Sequence, residues 1–160
     1  MQDKIELGMG RGAVTRAPHI IVSFGLGSCV VVTLYDAKRK IGGMAHIMLP
    51  DSASTNGRRA SYQCADTAIA TLVRELRADG AVLLDMVAKL VGGARMFADY
   101  EDSSEGIGEQ NIKSVKHILK REQIPLIGED SGGHNGRTVE FCLDSGKLVV
   151  KTIGKKAREI

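Results

Sequence analysis

Short apolar segments separated by glycine-rich or polar turns occupy the first third of the chain, and their patterns predict strands. Residues 19–24 are predicted to form one strand, which ends at a glycine-rich turn at 25–28. Residues 29–35 (CVVVTLY) are β-branched and mostly apolar, which is typical of a strand buried on both faces. A polar turn at 36–40 leads to a third predicted strand at 41–49, and we expect the last two strands to form a hairpin.

The middle of the chain carries helical signals. A polar loop at 50–61 contains an Asn56-Gly57 turn signal. A helix is predicted next, because apolar residues recur at helical spacing: Ala65, Ile69, Leu72, Val73 and Leu76. Gly80 supplies its C-terminal stop. A strand is predicted at 82–91, a polar loop at 98–108 and a second helix at 111–121.

Three short strands are predicted after the second helix, near 126, at 138–143 and at 147–153, and a turn at 144–146 joins the last two as a hairpin. Strands outnumber helices, and the early strands follow one another without crossover helices. This order favours a mixed-sheet α+β sandwich over a doubly wound parallel fold. The length suits a single domain over residues 1–160, in which 154–160 are predicted to be a solvated basic tail.

Composition and charge exclude several classes of function. The formal charge is 22 − 19 = +3, and part of this excess is the terminal group Lys155, Lys156 and Arg158. A nucleic-acid-binding protein normally has a denser basic stripe, so we expect no nucleic-acid partner. The longest apolar runs are strand-sized, and residues 1–16 are too polar for a signal peptide. We therefore expect no membrane insertion and a cytoplasmic location.

The cysteines favour reduced thiols. Cys29, Cys64 and Cys142 are an odd number, lie far apart and include no CxxC pair, which argues against a disulfide framework and against structural zinc. Cys64 and Cys142 are interpreted as core or helix-face residues. His19 and His117 show no partner pattern that would predict a metal site.

Cys29 and His46 are the first candidates for catalysis. Cys29 opens a buried strand directly after a glycine-rich turn, where backbone N–H groups can stabilise the oxyanion that forms when a thiol attacks a carbonyl. The alternative is a small hydrophobic residue in a core strand. His46 lies in the strand predicted to pair with that of Cys29, where its imidazole would take the thiol proton and give a thiolate–imidazolium pair. The alternative is a core histidine satisfied by the backbone.

Ser23 is the third candidate, at the end of the strand before the glycine-rich turn. Its hydroxyl would accept from the second imidazole nitrogen and fix the tautomer, whereas a serine at a strand end is more often solvated or bonded to the turn. The segment 129–134 (EDSGGH) is either a cleft-lining loop or an exposed acidic turn, and the pattern favours the turn. The glycines at 25–27 resemble part of a dinucleotide fingerprint, but a strand follows them, so we do not expect phosphate binding there.

Several motifs in register resemble the CheD family of chemoreceptor glutamine deamidases. They are the segments 23–30 (SFGLGSCV), 43–50 (GMAHIMLP), 65–69 (ADTAI), 92–97 (GGARMF), 107–111 (IGEQN), 129–133 (EDSGG) and 136–139 (GRTV). The similarity extends over about residues 7–153 in the expected order.

The resemblance implies an α/β sandwich related to toxin deamidases, in which Cys29 is the nucleophile, His46 the base and Ser23 the third member, where the family usually has threonine. The backbone amides of Ser28 and Cys29 would hold the oxyanion. The implied reaction converts glutamine side chains of methyl-accepting chemoreceptors to glutamate through a glutamyl thioester, without a metal or organic cofactor. Glutamyl methyl ester cleavage and a CheC-like phosphatase partner are also implied.

Two rival functions remain open at this point. One is a non-catalytic module that docks on a receptor or on the phosphatase. The other is a general cysteine protease or amidase, which would need an extended groove for the substrate backbone, whereas a deamidase that reads a helix surface needs only a shallow pit. A receptor fragment gains about one dalton on deamidation and is cut by a protease, so mass spectrometry separates these functions.

Overall fold

The computed structural model describes residues 1–55, 61–96 and 105–160. The predicted Asn56-Gly57 turn and most of the predicted loop at 98–108 lie outside these residues. Within them, the strands and helices in chain order are β1 (Lys4–Leu7), β2 (Gly12–Arg16), β3 (Ile20–Leu26), β4 (Val30–Asp36), β5 (Ile41–Ile47), α1 (Ala65–Ala78), β6 (Met86–Gly92), α2 (Ile107–Arg121), β7 (Leu126–Ser131), β8 (Arg137–Cys142), β9 (Leu148–Thr152) and β10 (Arg158–Glu159).

The strands form two mixed sheets. The first has the order β1-β3-β8-β9-β10 and the second the order β2-β5-β4-β6-β7. β1 is parallel to β3 and β7 is parallel to β6, whereas the other neighbouring strands are antiparallel. The predicted hairpins β4–β5 and β8–β9 are both present. The α+β sandwich expected from the sequence is thereby confirmed.

The second sheet is the middle layer of three, between the first sheet and the two helices. β4 shows why its sequence is almost wholly apolar. Val30 and Leu34 belong to a core shared with α1 and α2, while Val31 and Tyr35 belong to a core shared with the first sheet. Because side chains alternate along a strand, a strand between two cores exposes neither face. Every residue of β4 is buried, as the sequence predicts.

The helices cover the outer face of the middle sheet. α1 ends where predicted, and Gly80 takes a φ of 101° just beyond it, a conformation that favours glycine. α2 begins at Ile107 rather than at 111, because its first turn has no apolar repeat for the periodicity to detect. That turn contains Gly108, and a Cβ there would lie 2.6 Å from the Gly93 carbonyl oxygen. Glycine therefore allows α2 to approach the end of β6.

Three sequence predictions are wrong in part, and two strands are not predicted. The polar N-terminal segment contains β1 and β2, which the pattern misses. The strand predicted at 82–91 begins only at Met86, after a 3-10 turn. The segment 129–131 is the partly buried end of β7 and not an exposed turn. The tail is not wholly solvated, because β10 pairs with β9 and the Ile160 N–H donates to the Leu148 carbonyl at 2.9 Å.

Among the described residues, no helix has the length and apolar character needed to cross a membrane.

Candidate active site

Cys29 lies immediately before β4, with its side chain half-buried at one end of the sandwich. The backbone on both sides of it is fixed to the segment that follows β6. The Ala94 N–H donates to the Gly27 carbonyl at 2.9 Å, and the Gly93 N–H donates to the Cys29 carbonyl at 2.9 Å. The thiol therefore sits on a backbone that two hydrogen bonds hold in place.

Asn111 of α2 fixes the same segment from the other side. Its Nδ2 donates to the Ser28 carbonyl at 3.0 Å and to the Met48 carbonyl at 3.1 Å. In a trans peptide the C=O and the following N–H point in opposite directions. Since the Ser28 carbonyl points toward α2, the Cys29 N–H points away from that helix. Burial raises the pKa of the Cys29 thiol, and the residue's own backbone N–H partly offsets this effect.

Asn111 is a residue of the candidate site that sequence reasoning misses, although its motif contributes to the family resemblance. Its side chain is fully buried and bridges the segment before Cys29 to the residue that lies two positions after His46. The signal available in the sequence was a polar residue on the apolar face of a helix, a position that usually requires a buried hydrogen-bond partner.

Gly92 is required for this geometry. It has a φ of 106°, and a Cβ at this position would lie 2.5 Å from the Cys29 carbonyl oxygen. A side chain here would be strained by the backbone conformation and would also push against the segment that carries the thiol.

His46 lies on β5, opposite Val31 of β4. Side chains two positions apart on a strand share a face, so Val31 and Cys29 both point to the core between the two sheets, where Cys29 packs at its edge. Cys29 and His46 are thus diagonal neighbours on one face of the hairpin. Diagonal neighbours are typically about 7–8 Å apart, within reach of extended side chains.

Ser23 of β3 approaches His46 from the opposite sheet, and both residues are fully buried. Ser23 Oγ lies 2.8 Å from His46 Nδ1 and donates to the Leu7 carbonyl at 3.0 Å. A serine hydroxyl has one proton, and a carbonyl oxygen can only accept. Since that proton goes to Leu7, the bond to His46 has Nδ1–H as its donor. The three groups therefore select the tautomer whose free lone pair is on Nε2.

His46 Nε2 is buried and has no hydrogen-bond partner among the described residues. Leaving a polar atom buried without a partner typically costs about 1–3 kcal/mol, and such atoms in native proteins often have a chemical role. Burial also lowers the pKa of His46. With the thiol pKa raised and the imidazole pKa lowered, the resting site favours a neutral thiol and a neutral imidazole over a preformed ion pair.

The structure thus brings Ser23, Cys29 and His46 to one end of the sandwich. Cys64 is fully buried at the start of α1, in keeping with the prediction of a core or helix-face residue. His134 is exposed, and its Nδ1 pairs with the Arg95 carbonyl at 3.0 Å. Within the described ranges, no group of three His, Cys, Asp or Glu residues is arranged to hold a metal ion.

Known proteins resemble this chain over its whole length. A family model described as CheD chemotactic sensory transduction matches residues 48–152. The chemoreceptor glutamine deamidase CheD of Thermotoga maritima is 45% identical over 148 residues, which are 92% of this chain and 91% of that protein. The protein of the same name from Halalkalibacterium halodurans is 43% identical over 164 residues and all of both chains. A solved structure, hypothetical protein YfiH of Bacillus licheniformis, is 17% identical and covers 75% of this chain and 49% of that chain with a TM-score of 0.48.

Proposed function

The chain belongs to the CheD family, and from this membership we propose that it hydrolyses glutamine side chains of chemoreceptors to glutamate with Cys29 as the nucleophile. The observation that carries the assignment of residues is the hydrogen-bond relay from His46 Nδ1 through Ser23 Oγ to the Leu7 carbonyl. This relay leaves the lone pair of Nε2 as the base, on the same face of the hairpin as the thiol.

In the first step, the Cys29 sulfur forms a bond to the carboxamide carbon while its proton moves to His46 Nε2. The amide π electrons move to the carbonyl oxygen, and the backbone N–H groups of Ser28 and Cys29 receive this oxyanion. The orientation of the Ser28 peptide supports that role for Cys29, because its N–H points away from α2. The imidazolium then protonates the leaving nitrogen, ammonia departs and a glutamyl thioester remains.

In the second step, the neutral His46 removes a proton from water, and the resulting hydroxide attacks the thioester. The C–S bond breaks, the thiolate takes back the proton from the imidazolium, and glutamate is released. The reaction consumes one water and releases one ammonia, so no redox partner enters it. A glutamyl methyl ester would react in the same way, with methanol as the leaving group, and we extend the proposal to this activity.

The proposal also includes where the protein acts and with what. Chemoreceptor signalling bundles face the cytoplasm, so a deamidase that acts on them works there. A CheC-like phosphatase is proposed as a further partner on the grounds of the family resemblance.

The test is mass spectrometry of a purified chemoreceptor cytoplasmic fragment incubated with the protein, together with an ammonia assay. We expect a gain of about one dalton at specific glutamines and intact chains. Cys29→Ala should reduce the rate by about 10⁴-fold or more, as loss of a covalent nucleophile does. Cys142→Ala is the matched control, because it removes another partly exposed thiol and should leave the rate unchanged.

A Cys29→Ala protein that deamidates at the rate of the unmodified protein would refute the assignment of the nucleophile. If that variant is inactive but still binds the receptor fragment with unchanged affinity, catalysis and docking are separable, as the proposal requires. Cleaved receptor chains would instead indicate a protease.

A further inference from the structure

A cavity of about 110 Å³ lies at the end of the sandwich where β7, β8 and β9 meet the C-terminal segment. We call it the basic cavity. The charged or titratable side chains that line it are Asp130, His134, Arg137, Lys155, Lys156 and Arg158. Four cations face a single carboxylate, which gives a formal charge of 4 − 1 = +3 with His134 neutral. A concave space with this excess of one sign concentrates the opposite charge.

Arg137 is the buried cation of the basic cavity. It is only 8% exposed, and its Nε donates to Asp130 Oδ1 at 3.1 Å. Its Nη1 is buried and has no hydrogen-bond partner in the described part of the chain. A guanidinium normally uses its several donors to hold planar or tetrahedral oxyanions. Arg137 is therefore a buried guanidinium in the wall of the basic cavity whose donors are not all used by the residues that the structure describes.

Asp130 does not neutralise the basic cavity. Its second oxygen, Oδ2, lies 3.5 Å from Arg158 Nε, so one carboxylate is shared by two guanidiniums. Across the described residues, Lys155 and Lys156 form no ion pair with any carboxylate. The charge of the two lysines is thus available to a bound anion.

The path of the chain explains why these cations converge. β10 returns antiparallel to β9, which folds the C-terminal segment back along the edge of the first sheet. The Lys155 N–H donates to the Thr152 carbonyl at 3.0 Å, and this turn sets both lysines beside the start of β8. The basic residues that the sequence presents as a solvated tail are in this way part of a structured site.

We propose that the basic cavity binds an oxyanion, either the carboxylate of an acidic side chain of the protein substrate or a free inorganic phosphate. Arg137 holds the oxyanion through its guanidinium group, and Lys155 and Lys156 supply charge from the rim. The first of these two sources rests on the proposed function, whereas the second does not.

The basic cavity and Cys29 lie at the same end of the molecule, which makes the substrate a natural source of the anion. Arg137 pairs with Leu26, three positions before Cys29 in the chain. The Arg95 N–H donates to the Gly133 carbonyl at 2.8 Å, next to the bond between Ala94 and Gly27. A protein that presents a glutamine to the thiol therefore passes close to this cavity.

The first experiment measures phosphate binding by NMR titration of the backbone amides of 132–137 at constant ionic strength. Lys155→Gln/Lys156→Gln removes two rim charges without touching the buried Arg137, and it should weaken phosphate binding by about ten-fold. The matched control, Lys120→Gln/Arg121→Gln, makes the same change in net charge at the far end of α2. It should change the affinity less than two-fold.

Saturable binding that weakens only in the cavity variant supports the proposal. Absence of saturable binding, equal weakening in both variants, or shifts that do not include 132–137 would overturn it. If phosphate binds only through general surface charge, both variants weaken its binding equally, and the phosphate is then an adventitious ion only.

The second experiment identifies the source of the anion by measuring deamidation of the receptor fragment with and without phosphate. If the substrate supplies a carboxylate, phosphate raises KM for the unmodified protein but not for the cavity variant, and kcat is unchanged. If phosphate binds at 132–137 and leaves KM unaffected, a free anion is the ligand. A protein that binds phosphate but deamidates no receptor would contradict the proposed function and leave the oxyanion site intact.

Discussion

The orientation of His46 can be tested by changing Ser23, because its hydroxyl is the hydrogen-bond partner of His46 Nδ1. Ser23→Thr and Ser23→Val add nearly the same volume to a fully buried position, so the cost of overpacking is closely matched in the two variants. They differ in one hydroxyl. Threonine can still accept from His46 Nδ1 and donate to the Leu7 carbonyl, whereas valine can do neither.

The expected difference follows from these two hydrogen bonds. Valine leaves the Nδ1–H of His46 buried without an acceptor, at a cost of about 1–3 kcal/mol. The imidazole can avoid this cost by moving its proton to Nε2, which is the atom that must be free to act as base. We therefore expect kcat/KM of Ser23→Val to be about 10- to 100-fold below that of Ser23→Thr, since each 1.4 kcal/mol corresponds to about ten-fold.

The assay compares kcat/KM for receptor deamidation in the two variants, with urea unfolding and the pH profile as companion measurements. The free energy of unfolding alone does not distinguish a structural role of Ser23 from a positioning role, because valine removes the same two hydrogen bonds in either case. The pH profile does, because a change of tautomer lowers activity at every pH where the imidazole is neutral. Equal kcat/KM for the valine and threonine variants would refute the proposed relay.

Three further predictions concern the groups around this relay. Because burial raises the pKa of the Cys29 thiol, the rate of its alkylation by iodoacetamide should still increase above pH 9, whereas a plateau near neutral pH would indicate a preformed ion pair. Because burial lowers the pKa of His46, kcat/KM should decrease on the acidic side only below pH 6.5. Asn111→Leu should lower the free energy of unfolding in urea by about 2–3 kcal/mol, because two buried carbonyls lose their hydrogen-bond donor, and it should also lower kcat. An unchanged kcat in the folded variant would show that Asn111 does not belong to the site. Gly92→Ala should lower the free energy of unfolding, measured by thermal denaturation, by more than about 2 kcal/mol. Gly132 also has a positive φ, but a Cβ there would meet no atom within 4 Å, so Gly132→Ala should lower it less. Equal losses in the two variants would show that the contact with Cys29 is unimportant.

The sequence predicts that Cys29 and His46 lie on one face of a hairpin, because local information is enough to place them there. A hairpin fixes the register of its two strands, and the alternation of side chains then puts Cys29 and His46 on one face. The buried character of β4 follows from composition in the same way. Ser23 is harder, since it comes from the other sheet, and its pairing with His46 depends on how the two sheets stack.

The features that the sequence does not reveal all arise from contacts between distant segments. β1 is short and mostly exposed, so its pattern is weak, and it forms because β3 offers it a free edge. Its last residue, Leu7, then supplies the carbonyl that accepts the Ser23 proton. A backbone carbonyl has no signature in the sequence. The tautomer of His46 therefore depends on a strand that no local pattern predicts.

The electrostatic state of the resting site also follows from the fold and not from the residue types. A cysteine beside a histidine suggests a thiolate–imidazolium pair, but that pair needs solvent or further charges to stabilise both ions. Here His46 and Ser23 are fully buried and the thiol is half-buried, so both pKa shifts oppose ionisation. In the proposed mechanism, the proton moves from sulfur to Nε2 only when a carboxamide carbon is present to accept the sulfur electrons. We expect such a site to protect its thiol from small electrophiles while it remains competent toward a substrate that fills it.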